Sequence, residues 1–214
     1  MKIALFGANG WVGSTIAKEA LDRGHSVTAI VRDPAKMTMT HEHLTVAGAD
    51  ACDPASVAKT AAGHDVAAAA IGGRQNAQHQ VVPASAQGLL AGLASAGVPR
   101  LVWVGGAGSL EVAPGVRLVD TPAFPAEYKD EALAQSEALT VFRNGEHPVA
   151  WTYISPAIIL APGQRSGSYS SGGDQLLTNE KGESMMSVED YAVAFVDEIE
   201  RAAHQRTRIS VTSK

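Results

Sequence analysis

"KIALFGANGWVGSTIAKEALDRG", residues 2–24, passes from an apolar run through three evenly spaced glycines into an amphipathic segment. "KIALFG" reads as a buried strand, and "STIAKEALDRG" as a helix with Ile16, Ala17, Ala20 and Leu21 on one face and Gly24 as its stop. Gly7, Gly10 and Gly13 therefore sit in a strand-to-helix turn with G-x-x-G-x-x-G spacing, not the commoner G-x-G-x-x-G. The physical demand is the same. One glycine makes the tight turn, one lets the backbone approach a pyrophosphate, and one packs helix against strand at a helix N-terminus that favours anions. At the first strand–helix junction of a chain this predicts a dinucleotide site.

Outward from that turn, apolar runs alternate with helical patterns to the end of the chain. Strands are expected at "HSVTAIV", "HLTVAGAD", "DVAAAAIGG", "RLVWVGG" and "VAWTYISPA", with "RISV" as a closing strand. The alanines of the fourth are poor strand formers, so that assignment rests on its place in the alternation. Helices are expected over 53–63, capped by Asp53, over roughly 76–96 with an interruption at Pro83, and from Ser187, with Tyr191, Ala194, Phe195 and Ile199 inward. Near-continuous apolar strands separated by helices predict an α/β fold with a parallel sheet covered on both faces. One domain over 1–214 follows, with no linker and no internal repeat. Two long irregular segments, 106–126 and 156–186, follow strand C-termini, where open α/β sheets bind ligands. They are the expected substrate-pocket loops, the second with a small hairpin turning at "NEKG".

A net charge of −5 and the lack of a dense Lys/Arg run argue against a nucleic-acid surface. The single cysteine, Cys52, excludes an internal disulfide and suits a reducing compartment. No apolar segment reaches the roughly 18–20 residues that cross a bilayer. The apolar run at the N-terminus is too short for a secretory signal. A cytoplasmic protein is expected, without membrane or nucleic-acid partners, as a monomer or homodimer acting on a small molecule.

The end of the second strand bears on which dinucleotide binds. An acidic residue there would meet a ribose 2′-hydroxyl, whereas an arginine accommodates a 2′-phosphate. "VRDPAK" offers Arg32 first, then Asp33, with Lys36 as a second cation. Arg32 next to the strand favours NADPH over NADH, the other reading being a solvated strand end. The adenine is expected against Asp50 and Ala51, and the nicotinamide ribose against Ala70, Ile71 and Gly72.

Together "GANGWVG", "VRDP", "GADACDPASV", "LVWVGGAGSL" and "SVEDYAVAFVDEIE" resemble the atypical short-chain dehydrogenase/reductases. The nearest likeness is to the NmrA-like, NAD(P)H-binding group often labelled NADH-flavin reductase, which is also similar to flavin and biliverdin reductases. The resemblance spans essentially the whole chain. It implies a Rossmann-type doubly wound sheet with a small C-terminal substrate region. It also implies a pyrophosphate loop of Gly7, Asn9, Gly10, Trp11, Val12 and Gly13, an NADP-selective Arg32, and an adenine-side pair Asp50 and Ala51. Gly105 and Gly106 stand where the loop after strand five normally supplies a catalytic Ser or Thr, and Ser109 follows three residues on. Ser155, Pro156 and Ala157 match the segment beside the nicotinamide.

The wider superfamily uses a tyrosine acid with a lysine four residues later. In "PAEYKDEALAQSEAL" Tyr128 and Lys129 are adjacent, and alignment on Glu137 puts Lys129 at the tyrosine position and Leu133 at the lysine position. The usual proton-donating pair is absent. That argues against alcohol or ketone chemistry, where alkoxide charge wants a positioned acid, and not against flavins or quinones, which can take a proton from water. The expected pocket wall is Ser109, Leu110, Tyr128, Pro156, Ile159 and Tyr169. Tyr128 would stack on a ring or donate a proton, or merely cap the loop as a partly buried tyrosine. Ser109 would orient an acceptor or satisfy its turn. Asp120, Glu127, Asp130 and Glu131 read as a solvated acidic patch, Asp174 and Glu183 lack a catalytic partner, and His41 and His43 lack the further ligands a metal needs. The expected activity is NADPH-dependent reduction of a flavin (FMN or FAD), quinone or similar planar acceptor. The alternative is a non-catalytic NADP(H)-binding redox sensor.

Overall fold

A computed structural model describes residues 1–74 and 77–214. β1 (Lys2–Phe6) leads through the glycine turn into α1 (Trp11–Asp22), then β2 (Ser26–Val31) and β3 (Leu44–Gly48). The chain then returns to the other side of β1. α2 (Pro54–Ala61), β4 (Val66–Ala69), α3 (Val81–Ala96), β5 (Arg100–Val104), a short hairpin of β6 (Glu111–Ala113) and β7 (Val116–Arg117), α4 (Ala126–Arg143) and β8 (Ala150–Ser155) follow. Last come β9 (Ile159–Ala161), β10 (Tyr169–Gly172), β11 (Met185–Ser187), α5 (Val188–Arg201) and β12 (Thr207–Ser213).

Among the described residues eight strands form one sheet, in the order β10-β12-β8-β5-β4-β1-β2-β3, parallel except for β10 at the edge. The strand order reverses between β1 and β4, so their C-terminal ends border the crevice in which sheets of this kind bind ligands. α1 and α5 pack together over one face, with Leu5, Ile16, Ala20, Tyr191 and Phe195 among its core. α2, α3 and α4 cover the other, over Phe6, Leu89, Trp103 and Tyr153. This is the doubly wound α/β fold. No helix among the described residues is long and apolar enough to cross a membrane.

Several boundaries differ from the sequence expectation, each for a local reason. α3 begins at Val81 and runs unbroken through Pro83, because Pro83 lies in the first turn, where backbone N–H groups have no partner within the helix anyway. Asn76, the expected helix start, lies outside the described residues. β4 ends at Ala69 rather than continuing to Gly73, because side chains of α4 take the backbone beyond it: Gln135 Nε2 donates to the Ile71 carbonyl (2.9 Å) and Glu131 accepts from the Gly73 amide (3.1 Å). "RISV" is the middle of a longer strand, β12, inserted between β8 and β10. At "NEKG" a tight turn does form, with Asn179 N–H donating to the Glu183 carbonyl at 2.8 Å. No hairpin flanks it, since β11 pairs in parallel with β9, and β10 with β12.

The 156–186 segment is pinned to the helices beneath it. Arg165 grips Glu19 of α1 through Nε and Nη2, both at 2.7 Å, and Arg23 shares that carboxylate at 2.8 Å. Ser166 Oγ and the Gly167 amide donate to Asp190 of α5 at 2.6 and 2.8 Å. The Arg165 and Arg23 guanidinium groups hold the Glu19 carboxyl below its ordinary pKa against the opposing effect of burial. A folded-state pKa below the unfolded value means that this contribution is complete above the ordinary carboxylate range, about pH 4.3, and fades as pH falls through the folded value. Arg165→Ala is therefore expected to lower stability at neutral pH, where the contribution is complete, and so to raise the midpoint of acid unfolding followed by circular dichroism. An unmoved midpoint would remove this clamp from the account.

Candidate functional site

The glycine turn separates into three physical roles. Gly7 has φ +79°, and a Cβ there would lie 2.2 Å from the Ala70 carbonyl oxygen, so Gly7 both makes the turn and lets β1 and β4 approach. Gly13 brings α1 against the turn, since a Cβ on it would stand 2.2 Å from the Gly7 carbonyl oxygen. Gly10 is different. Its φ is −74°, open to any residue, and an added Cβ would meet nothing nearer than 3.4 Å. Nothing within the chain requires a glycine there. Gly10 is also the N-cap of α1, and no side chain caps the helix. The first-turn amides of Trp11, Val12 and Gly13 have no protein acceptor among the described residues. A helix N-terminus of this kind, left bare at a crevice, suits a pyrophosphate. Trp11 stands half exposed beside it, and Asn9 is exposed at the turn's tip.

At the end of β2, Asp33 is occupied. Its carboxylate accepts the Ala35 amide (3.2 Å), capping the 3₁₀ turn Pro34–Lys36, and pairs with Lys36 Nζ at 3.5 Å. Arg32 is exposed and makes no ion pair among the described residues. After β3, Asp50 folds back to accept the Cys52 amide at 2.9 Å, and Ala51 is buried beneath α3, where Gly88 lets the two backbones meet.

The face of α4 turned to the strand ends carries Glu131 and Gln135, one helical turn apart. Gln135 bridges the Trp103 indole (3.2 Å) and the Ile71 carbonyl, and Glu131 holds the Gly73 amide and His79 Nδ1 (2.9 Å). Of the helix positions weighed from the sequence, Leu133 is 40% exposed and Lys129 is exposed, while Glu131 and Gln135 are the side chains that reach the strand ends. Glu131 is likewise no part of a solvated acidic patch. The clue was available in the i, i+4 spacing of two polar residues beside Ala134 and Ala138 on the buried stripe of α4.

The glycines after β5 also have a physical reason. A Cβ on Gly105 would lie 2.0 Å from Cε1 of Tyr153, whose ring fills that space. The Tyr153 hydroxyl accepts the Gly106 amide at 3.0 Å and donates to the Gln135 carbonyl at 3.0 Å. Complete burial raises its pKa well above the ordinary phenol value. It holds the loop in shape and is no acid for solvent-exposed chemistry.

The remaining expected site residues are dispersed. Ser109 is buried, with its Oγ accepting from Arg208 Nη1 at 3.2 Å, inside a cluster where Arg208 and Arg143 both reach Asp174 at 2.6 Å. Leu110 is 1% exposed and belongs to the interior. Ser109 borders a small cavity with Arg117, Arg143, Asp174 and Arg208. Tyr169 donates its hydroxyl to Asp197 at 2.8 Å and packs on the α1–α5 side of the sheet, away from α4. Burial, with Asp197 adding to it, pushes its pKa up to about 12. Ile159 is 53% exposed, opposite Met185 in the small β9–β11 pair. Tyr128 is 45% exposed rather than partly buried, with the Arg74 guanidinium 4.5 Å from its ring centre. The Ser155 Oγ, at the last residue of β8, is fully buried with no hydrogen-bond partner among the described residues, and beyond the strand Pro156 is partly buried and Ala157 buried. Nδ1 of His41 accepts the amide of His43 at 3.1 Å.

A doubly wound sheet with a bare helix N-terminus at its switch point and a spare glycine in the turn is the architecture of the dinucleotide-binding Rossmann proteins. The family model described as NAD(P)H-binding matches residues 7–201, and the chain belongs to that family. It is 39% identical to the protein YwnB of Bacillus subtilis (strain 168), over 100% of this chain and 99% of that one. Among solved structures, one from Burkholderia pseudomallei, provisionally named an exported protein, is 46% identical with a TM-score of 0.89, covering 99% of both chains. Another from Streptococcus pneumoniae, provisionally named an NADH-flavin reductase, is 35% identical with a TM-score of 0.88, covering 100% of both.

Proposed function

We propose that the chain is an NADPH-dependent oxidoreductase that passes hydride to a flavin, quinone or similar planar acceptor without a Tyr-x-x-x-Lys pair. The observation that carries it is Gly10, a glycine the fold does not need, at a bare helix N-terminus. Gly7, Gly10 and the amides of Trp11, Val12 and Gly13 would hold the pyrophosphate, and Ala70, Ile71 and Gly72 the nicotinamide ribose. The buried Ser155 hydroxyl at the end of β8, unpartnered among the described residues, fits the nicotinamide end of the same ligand. When bound, the nicotinamide supplies the hydride. The chain's own part is to hold donor and acceptor together and to exclude water. The name given to the Streptococcus pneumoniae relative supports a flavin as acceptor. A cytoplasmic monomer or homodimer fits this reading.

The NADPH preference rests on Arg32, left unpaired while Asp33 is spent on its cap and on Lys36. A charge-assisted contact to the 2′-phosphate is worth about 1.5–3 kcal/mol. Arg32→Ala is thus expected to weaken NADPH binding by roughly 10- to 100-fold and NADH binding little. Titration of both cofactors by fluorescence tests this, and a variant that keeps its preference overturns the assignment.

A second reading, a non-catalytic NADP(H) sensor, is favoured by Tyr153, which closes the position where a catalytic hydroxyl would stand. Following NADPH oxidation with FMN, FAD and simple quinones separates the two. Turnover supports the reductase, and tight NADPH binding with no turnover on any acceptor supports the sensor.

A further inference from the structure

We propose that His79 is the proton donor to the acceptor, with Glu131 as the residue that positions it. The inference rests on the oxidoreductase reading and adds the proton source that the missing Tyr-x-x-x-Lys pair left open. His79 lies just ahead of α3 and beside Gly73, the glycine after β4. Gln78 N–H donates to the Gly73 carbonyl at 2.9 Å. A Cβ on Gly73 would lie 2.5 Å from the His79 Cα, so the glycine is what lets His79 fold back over the strand end.

Glu131 reaches over from α4, accepting from the Gly73 amide at 3.1 Å and meeting His79 Nδ1 at 2.9 Å. The carboxylate has 15% and the imidazole 22% of its surface exposed, so the pair is sheltered yet open to a ligand. A carboxylate only accepts hydrogen bonds, which assigns the Nδ1 proton to His79 and leaves Nε2 for other work. No protein group among the described residues bonds Nε2. Arg74, next to Gly73, and Tyr128, one turn before Glu131 and stacked on Arg74, are the other ionisable groups of the cluster.

The chemistry balances simply. The acceptor gains a hydride from the reduced nicotinamide, and its displaced electron pair settles on an oxygen or nitrogen. That atom takes the proton from Nε2–H of the imidazolium, and the N–H bonding pair stays on the ring. His79 is left as the neutral Nδ1–H form, the tautomer Glu131 holds, and solvent returns the proton.

Nitrogen-15 NMR of the protein without cofactor is expected to show neutral His79 as the Nδ1–H tautomer, and Glu131→Gln to lose that preference. An Nε2–H tautomer in the unaltered protein overturns the proposal. With an acceptor that the unaltered protein reduces, His79→Gln is expected to lower kcat by about a hundredfold or more. NADPH affinity should hold, and the alkaline fall in rate should vanish. Should that variant not fold, the alkaline fall in the unaltered protein must coincide with His79 deprotonation followed by NMR, and a mismatch overturns the proposal. No turnover by the unaltered protein sinks the oxidoreductase reading itself, and this inference with it. Turnover with an undiminished His79→Gln variant sinks this inference alone.

Discussion

Gly10→Ala is expected to fold as well as the unaltered chain and to bind NADPH at least about tenfold more weakly, while Gly13→Ala is expected to lose stability outright. The two glycines are three residues apart in one turn and carry the same substitution, so the contrast isolates what each is for. Gly10 has an ordinary φ of −74°, and its added methyl would meet only the Gly7 oxygen, at 3.4 Å. Removing a glycine at such a position stabilises by about 0.4–1 kcal/mol through the unfolded chain. The methyl would, however, project at the bare N-terminus of α1 and keep a pyrophosphate from the amides of the first turn. A Cβ on Gly13 meets the Gly7 oxygen at 2.2 Å and the Gly7 carbonyl carbon at 2.9 Å, both backbone atoms that cannot swing aside. Overpacking against backbone costs about 3 kcal/mol or more. Thermal unfolding and NADPH titration of both variants check the pair. A Gly10→Ala protein that binds NADPH as tightly as the original would mean that the turn is not the pyrophosphate cradle.

The second large effect lies at the opposite end of the sheet. Arg100 of β5 is buried, with Nη2 2.5 Å from Glu198 Oε1 and 2.7 Å from the Glu198 carbonyl, and Nη1 3.1 Å from the Ile199 carbonyl. Glu198 also accepts from the His204 amide (3.0 Å) and from His204 Nδ1 (2.8 Å), and Thr152 of β8 joins the cluster. One carboxylate thus ties β5, β8, α5 and the turn into β12 together. Burial lowers the Arg100 pKa, and the Glu198 carboxylate opposes that shift. Glu198→Ala leaves a buried guanidinium uncompensated, which costs about 3–5 kcal/mol. At roughly 2–4 °C per kcal/mol for a chain of this size, the Tm should fall by about 10 °C. Replacing Arg100 and Glu198 together by apolar residues should cost much less, because no charge is then stranded. A Glu198→Ala protein within about 1 kcal/mol of the original would show that the guanidinium reaches water.

What was legible from the residues alone is the part that depends on local pattern. Alternating apolar runs and amphipathic helices dictated a parallel sheet with helices on both faces. Tyr191, Ala194, Phe195 and Ile199 were set inward by the helical period alone. The glycine turn was legible as a turn, since Gly7 takes a positive φ and Gly13 packs on the Gly7 carbonyl, both within seven residues. The acceptor side was not legible. Tyr128 and Ser109 looked functional by type, yet one is exposed under Arg74 and the other is consumed by Arg208, ninety-nine positions away.

Tertiary structure alone decided which polar groups face the strand ends. Glu131 and Gln135 gain their meaning from groups more than fifty residues distant: the Ile71 carbonyl, the Gly73 amide and the His79 imidazole. Gly105 is a glycine because Tyr153, on the neighbouring strand, fills the space of its side chain. Periodicity fixes which way a side chain faces within its own element. Which partner it meets depends on how distant elements pack, and that is settled only when the sheet and its helices close around one another.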